Sequence, residues 1–183
     1  MKETKVTNVR FVAVTGVIAG LYTALTLVLA PFSFGLVQCR VSEALTVLAA
    51  YHPAAVAGLT VGCALSNVVG LAMGANIAGA LDVLVGTLAT GLAAVLSYRL
   101  RHIRFGGLPV LATLPPVLLN ALFVGTELAM VSPVFTWKMW ATQMALVGAG
   151  QLIACVGGGL VLAYAFQKSG LDSRLSSNSF TNR

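Results

Sequence analysis

Charge is scarce in this chain. Asp, Glu, Lys and Arg make up 9% of its 183 residues, while 58% are hydrophobic. A soluble domain of this length carries about 25% charged residues. The shortfall excludes a soluble fold with a polar surface and makes the lipid bilayer the expected solvent. Histidine occurs twice, as His52 beside Pro53 and His102 among arginines. Both read as turn or loop residues, which leaves none for metal or triad chemistry. The three cysteines, Cys39, Cys63 and Cys155, form no C-x-x-C pair, so they read as small buried residues and not as a disulfide framework or zinc site. There is no H-E-x-x-H, no Walker phosphate loop and no G-x-S-x-G elbow, so no catalytic role, cofactor or metal is expected. Without an ATP site the chain cannot power primary transport alone. The net charge of +6 comes from 11 basic residues against 5 acidic ones. The basic excess sits at the chain ends and in one loop, with no basic face interleaved with aromatics, so nucleic acid is not an expected partner.

What the chain does have is long apolar runs. The first, about 10–31, follows Lys2, Lys5 and Arg10. It exceeds the roughly 7–15 residues of a signal-peptide core, and Pro31 follows the Leu29-Ala30 pair, so a retained transmembrane helix is expected. The run from Ala44 to Gly74 is too long for one crossing of about 20 residues, and Tyr51-His52-Pro53 breaks it. The reading is therefore a single all-α membrane domain, 1–168, with six helices at about 10–31, 40–51, 53–73, 77–98, 108–130 and 138–166. Pro115-Pro116 is expected to kink the fifth of these. Residues 169–183, rich in Ser and Asn, read as a disordered cytoplasmic tail. Lys2, Lys5 and Arg10, the cluster Arg99, Arg101 and Arg104, and Lys168 and Arg174 are separated by even numbers of crossings. Both termini are then cytoplasmic under the positive-inside rule.

With that topology the polar residues collect toward the outer side. Gln38, Arg40 and Glu43 lie at the mouth, Asp82 starts the fourth span, Glu127 ends the fifth, and Asn120 and Gln151 sit deeper. Ionisable groups in a bilayer are costly and face a cavity or a partner, so this set reads as a solute pocket open to the outside. The competing reading is structural. Arg40 and Glu43, at i and i+3, suit a helix-end ion pair with Ser42 as N-cap, and Asp82 or Glu127 could pair with Arg40 in space. Gly16, Gly20 and Ala24, at four-residue spacing, suit either internal helix packing or docking of another subunit. Tyr22 reads as a pocket wall or a buried aromatic.

Three stretches in order, FGLVQCRVSEALTVL (34–48), LDVLVGTLAT (81–90) and LPPVLLNALFVGTEL (114–128), resemble the signature blocks of the QueT family, substrate-binding S components of energy-coupling factor transporters for queuosine precursors. The resemblance covers roughly residues 10–165. The chain departs from the family pattern at Gln151, where Glu is expected, at Ala49-Ala50, and at Gly16 and Gly20, where an Ala-x-x-x-Ala stripe is usual. The resemblance implies a six-helix S component in a prokaryotic cell membrane, with its ligand site near the outside. It also implies docking through the first helices onto a transmembrane coupling subunit with two cytoplasmic ATPases. A 7-deazaguanine ligand presents two adjacent donors that a carboxylate accepts in parallel. Gln38, Asn120 or Arg40 could donate to its carbonyl, a second carboxylate would suit an aminomethyl cation, and Tyr22, Phe34 or Trp137 could stack on the ring. Glu43, Asp82 and Glu127 form the acidic set. The alternatives are an S component for another vitamin, and a self-sufficient carrier or channel using the intramembrane carboxylates.

Overall fold

A computed structural model describes residues 2–35 and 38–170. The expected tail lies outside the described residues except for Ser169 and Gly170. Among the described residues the chain is helical throughout, apart from one isolated bridge between Phe105 and Leu108. Helices α1 (Lys2–Val28) and α2 (Ala30–Ser33) are followed by a 3₁₀ helix, Val41–Ala50. Next come α3 (Ala54–Ala72), α4 (Ala80–Arg99), and α5 (Leu114–Met130) with a 3₁₀ turn, Val110–Thr113, before it. Helix α6 (Trp137–Gln151) continues through a π-helical stretch, Leu152–Gly158, into α7 (Gly159–Ser169).

Among the described residues, five helical segments are long and apolar enough to cross a membrane: Val9–Val28, Ala54–Ala72, Ala80–His102, Val110–Met130 and Trp137–Ser169. Their outward faces carry bare aliphatic side chains, with Leu88 61% and Ile153 71% exposed. Their interior holds Arg40, Glu43, Asp82 and Glu127, all buried. This polarity, apolar outside and ionisable inside, is what a lipid solvent demands. The chain is a multi-pass membrane protein.

In lipid, apolar burial does not hold helices together, so close backbone approach must. Helices α1 and α3 meet through Gly58 and Gly62, where an added Cβ would lie 2.8 Å from Cβ of Ile18 and of Tyr22 respectively. The small residues that bring these helices together are thus on α3. Gly16 and Gly20 have open space where a Cβ would stand, and with Ala24 they face outward.

The short second element is a 3₁₀ helix, and nearly all of it is buried. Ten residues at about 2.0 Å each reach about 20 Å, against about 15 Å for an α-helix. That reach suits its task. Arg40, just before it, meets Asp82 at one end of the bundle. Tyr51, just after it, packs its ring 6.0 Å from Phe166 at the other end. Phe11 stands 6.5 Å from His52, and Arg104 lies over the Tyr51 ring at 5.0 Å. One end therefore gathers the start of α1, the 100–108 loop and the close of α7, together with the basic residues. The prolines differ from expectation. Pro115 and Pro116 lie in the first turn of α5, after the 3₁₀ turn, where missing N–H groups cost no ladder bond. They start the helix and do not kink it.

Candidate ligand-binding site

Arg40 is 1% exposed. No helix-end pair with Glu43 forms; its Nη2 donates to Oδ2 of Asp82, 42 residues on. Its Nε donates to the Ser33 carbonyl at 3.2 Å, and Nη1 lies 3.7 Å from Cys63 Sγ. Asp82 Oδ2 also accepts from Asn76 Nδ2 at 2.9 Å, and the Asp82 carbonyl accepts from Asn67 Nδ2 at 2.6 Å. The Phe34 ring lies 5.5 Å from the guanidinium and fills the space beside Gly70. Gly86, one turn after Asp82, keeps room for the carboxylate: a Cβ there would run into Asp82 Oδ1. Asp82 Oδ1 has no partner, but the ion pair and the bonds around it tie the 38–40 segment to α3 and α4.

Glu43, on the 3₁₀ helix, points into the bundle. Its Oε1 accepts from Tyr22 Oη at 2.6 Å and from Thr90 Oγ1 at 2.7 Å. Its Oε2 is buried with no protein partner. Ser42 does not cap the helix; its hydroxyl pairs with Thr26 Oγ1 at 2.7 Å. Tyr22 is fully buried and sets the position of one carboxylate oxygen.

Helix α5 supplies the rest. Glu127 is 3% exposed, and neither carboxylate oxygen has a partner. It stands within electrostatic reach of Asp82 and Arg40. Asn120 is 1% exposed with both amide atoms unpartnered, and it lies beside the Glu43 carboxylate. Gln38 Nε2 and Gln143 Oε1 are also buried without partners, whereas Gln151 Oε1 accepts from Cys155 Sγ at 3.1 Å. Leaving one buried polar atom unsatisfied costs about 1–3 kcal/mol, more if charged. Several such atoms lie on the 38–40 segment, the 3₁₀ helix, α5 and α6.

The three stretches singled out in sequence carry Arg40, Glu43, Asp82, Asn120 and Glu127, and the fold brings them to one half of the bundle. The model of the QueT transporter family matches residues 12–168. The chain belongs to the QueT transporter family. No curated protein and no solved structure matches it.

In this family member the sequence-predicted site residues divide into two groups. Arg40 and Asp82 form an ion pair, although Asp82 Oδ1 stays without a partner, while Glu43, Asn120, Glu127 and Gln38 keep unpartnered polar atoms and make no ion pair. Trp137 is 75% exposed and stacks edge-on with Phe135 and Trp140, the placement of an interfacial anchor. Asn67, Thr90 and Gln143 were not singled out from the sequence. Single Asn, Thr or Gln residues in an apolar run carry no spacing signal, and only the packing shows what they face.

Proposed function

We propose that this QueT family member is the S component of an energy-coupling factor importer. It captures a 7-deazaguanine precursor of queuosine from outside the cell and delivers it through a transmembrane coupling subunit driven by two cytoplasmic ATPases. The observation that carries the reading is the set of buried, unpartnered polar atoms on Gln38, Glu43, Asn120 and Glu127. They offer acceptors and amide donors to a flat, donor-rich ligand. The gathering of Arg10, Arg99, Arg101, Arg104 and Lys168 toward the end opposite Asp82 supports cytoplasmic termini and a site opening outward in a prokaryotic membrane, with the 3₁₀ element completing six crossings. The outward stripe of Gly16, Gly20 and Ala24 is left for the coupling subunit, and ATP is used by the partners and not by this chain.

The test is calorimetry on the purified chain in detergent with 7-deazaguanines, guanine, riboflavin, thiamine and biotin. Saturable binding of a deazaguanine, with none of the three vitamins, is expected. Vitamin binding without deazaguanine binding would overturn the ligand class. Uptake by the chain in vesicles without any ATPase would overturn the S-component role in favour of a self-sufficient carrier.

A further inference from the structure

The end of the bundle opposite Asp82 carries a loop held more rigidly than a charged loop needs. Gly106 and Gly107 both have positive φ, 57° and 83°. Phe105 and Leu108 exchange both backbone hydrogen bonds, at 2.9 and 3.0 Å. Two glycines in the left-handed region close a tight turn that other residues rarely make. A Cβ on Gly107 would run into the Gln167 side chain, so the turn seats on α7. Two guanidiniums are fixed around it. Arg101 lies 3.9 Å from the centroid of the Tyr98 ring and donates from Nη1 to the Tyr98 carbonyl at 3.0 Å. Arg104 lies over the Tyr51 ring. It donates from Nε to the Arg101 carbonyl at 3.3 Å and from Nη1 to the Gly107 carbonyl at 3.1 Å. Neither arginine makes an ion pair among the described residues. On the same loop the apolar side chains of Ile103 and Phe105 are 43% and 59% exposed.

Membrane sidedness needs only positive charge near the lipid, and unattached lysines would meet that need. Here ring stacking and carbonyl contacts occupy part of each guanidinium fork and fix the direction of the rest. The remaining N–H groups suit phosphate oxygens. A free anion would have no use for Ile103 and Phe105, whereas a lipid brings both a phosphate and apolar chains. We infer that the 100–108 loop is a headgroup site for an anionic phospholipid. Its phosphodiester accepts from Arg101 and Arg104, and its acyl chains lie against Ile103 and Phe105. The site is at the other end of the bundle from the buried carboxylates and does not depend on what they bind.

The experiment mixes the full chain in detergent with phosphatidylglycerol and phosphatidylcholine, at about one part to four, and counts the retained lipids by native mass spectrometry. The ratio of phosphatidylglycerol to phosphatidylcholine among them should exceed that of the mixture about fivefold or more, a size that basic side chains at a membrane surface supply. Arg101→Gln combined with Arg104→Gln should bring the ratio to within about twofold of the mixture. Arg99→Gln combined with Lys168→Gln removes the same charge and should keep the enrichment. Phe105→Ser should reduce the phosphatidylglycerol retained, and inorganic phosphate should not displace it. The comparison of lipids on the unaltered chain stands even if a variant fails to fold. Retention of the two lipids in the proportion of the mixture overturns the inference. Equal loss in the two double variants replaces the site with a diffuse field and overturns it as well. Displacement by inorganic phosphate overturns the lipid as the ligand, and unchanged retention in Phe105→Ser overturns the acyl contact.

Discussion

Two carboxylates in the same half of this bundle are buried almost equally and treated very differently. Asp82 is held by Arg40 and Asn76 and keeps its carbonyl on Asn67. Glu127 is held by nothing. The contrast separates two ways of keeping a charge in lipid. One is to satisfy it within the fold, which makes it part of the framework. The other is to leave it without a hydrogen-bond partner, which costs stability. Glu43 stands between them: like Asp82 it has one oxygen bonded and one without a partner, but its bonds come from neutral hydroxyls and not from a cation.

The largest expected effect breaks the satisfied side. Arg40→Gln or Asp82→Asn strips the partner from a buried charge and should cost about 3–5 kcal/mol, read as a large drop in thermal midpoint in detergent. The double substitution should recover most of that loss. Additive losses in the double variant would mean that the two side chains do not act as a pair.

Next comes the unsatisfied side. Glu127→Gln should leave the empty protein about as stable as before, because it exchanges one unpartnered buried polar group for another of the same shape. Deazaguanine binding should fall by about 1.5–3 kcal/mol, the worth of a charge-assisted hydrogen bond. Calorimetry and thermal unfolding on the same sample separate the two effects. A stability loss as large as that of Asp82→Asn would place Glu127 in the framework.

Gly62→Ala sharpens the intermediate case. The new Cβ would crowd Tyr22, which holds Glu43. Overpacking of this kind costs about 1–3 kcal/mol, and both unfolding and ligand binding should register it. The smallest structural effect is expected at Gly20, where a side chain meets open space. Gly20→Leu should change stability by no more than about 0.5 kcal/mol and leave ligand binding unchanged, yet abolish uptake in cells carrying the coupling subunit and ATPases. Full uptake by Gly20→Leu would remove this stripe from the docking surface.

Much of the helix plan was legible. Apolar runs interrupted at Tyr51-His52-Pro53, at Gly74-Ala75-Asn76 and around Ser132-Pro133 mark where the helices stop, because Pro and positive-φ Gly end a ladder whatever surrounds them. Gly74 and Gly79 both have positive φ in the turn before α4. The 3₁₀ form of Val41–Ala50 was not legible, since nothing local distinguishes it from a short α-helix; it follows from the distance that ten residues must bridge. The placement of Pro115-Pro116 in the first turn of α5, and not mid-helix, depended on where the preceding turn ends.

Composition and the order of apolar and polar residues determined that this chain lives in a bilayer, where its helices lie, and which few charged residues had to be explained. Those are one-dimensional properties, because the cost of charge in lipid and the breaking of helices are set residue by residue. Which charge meets which was decided only in three dimensions. Arg40 could face Glu43, three residues away, or Asp82, 42 residues away, and the choice turns on the crossing of α1 and α3, the reach of the 3₁₀ helix and the room left at Gly86. Among the described residues Arg40 is the one buried cation, and its ion pair with Asp82 leaves Glu43 and Glu127 without an ion-pair partner.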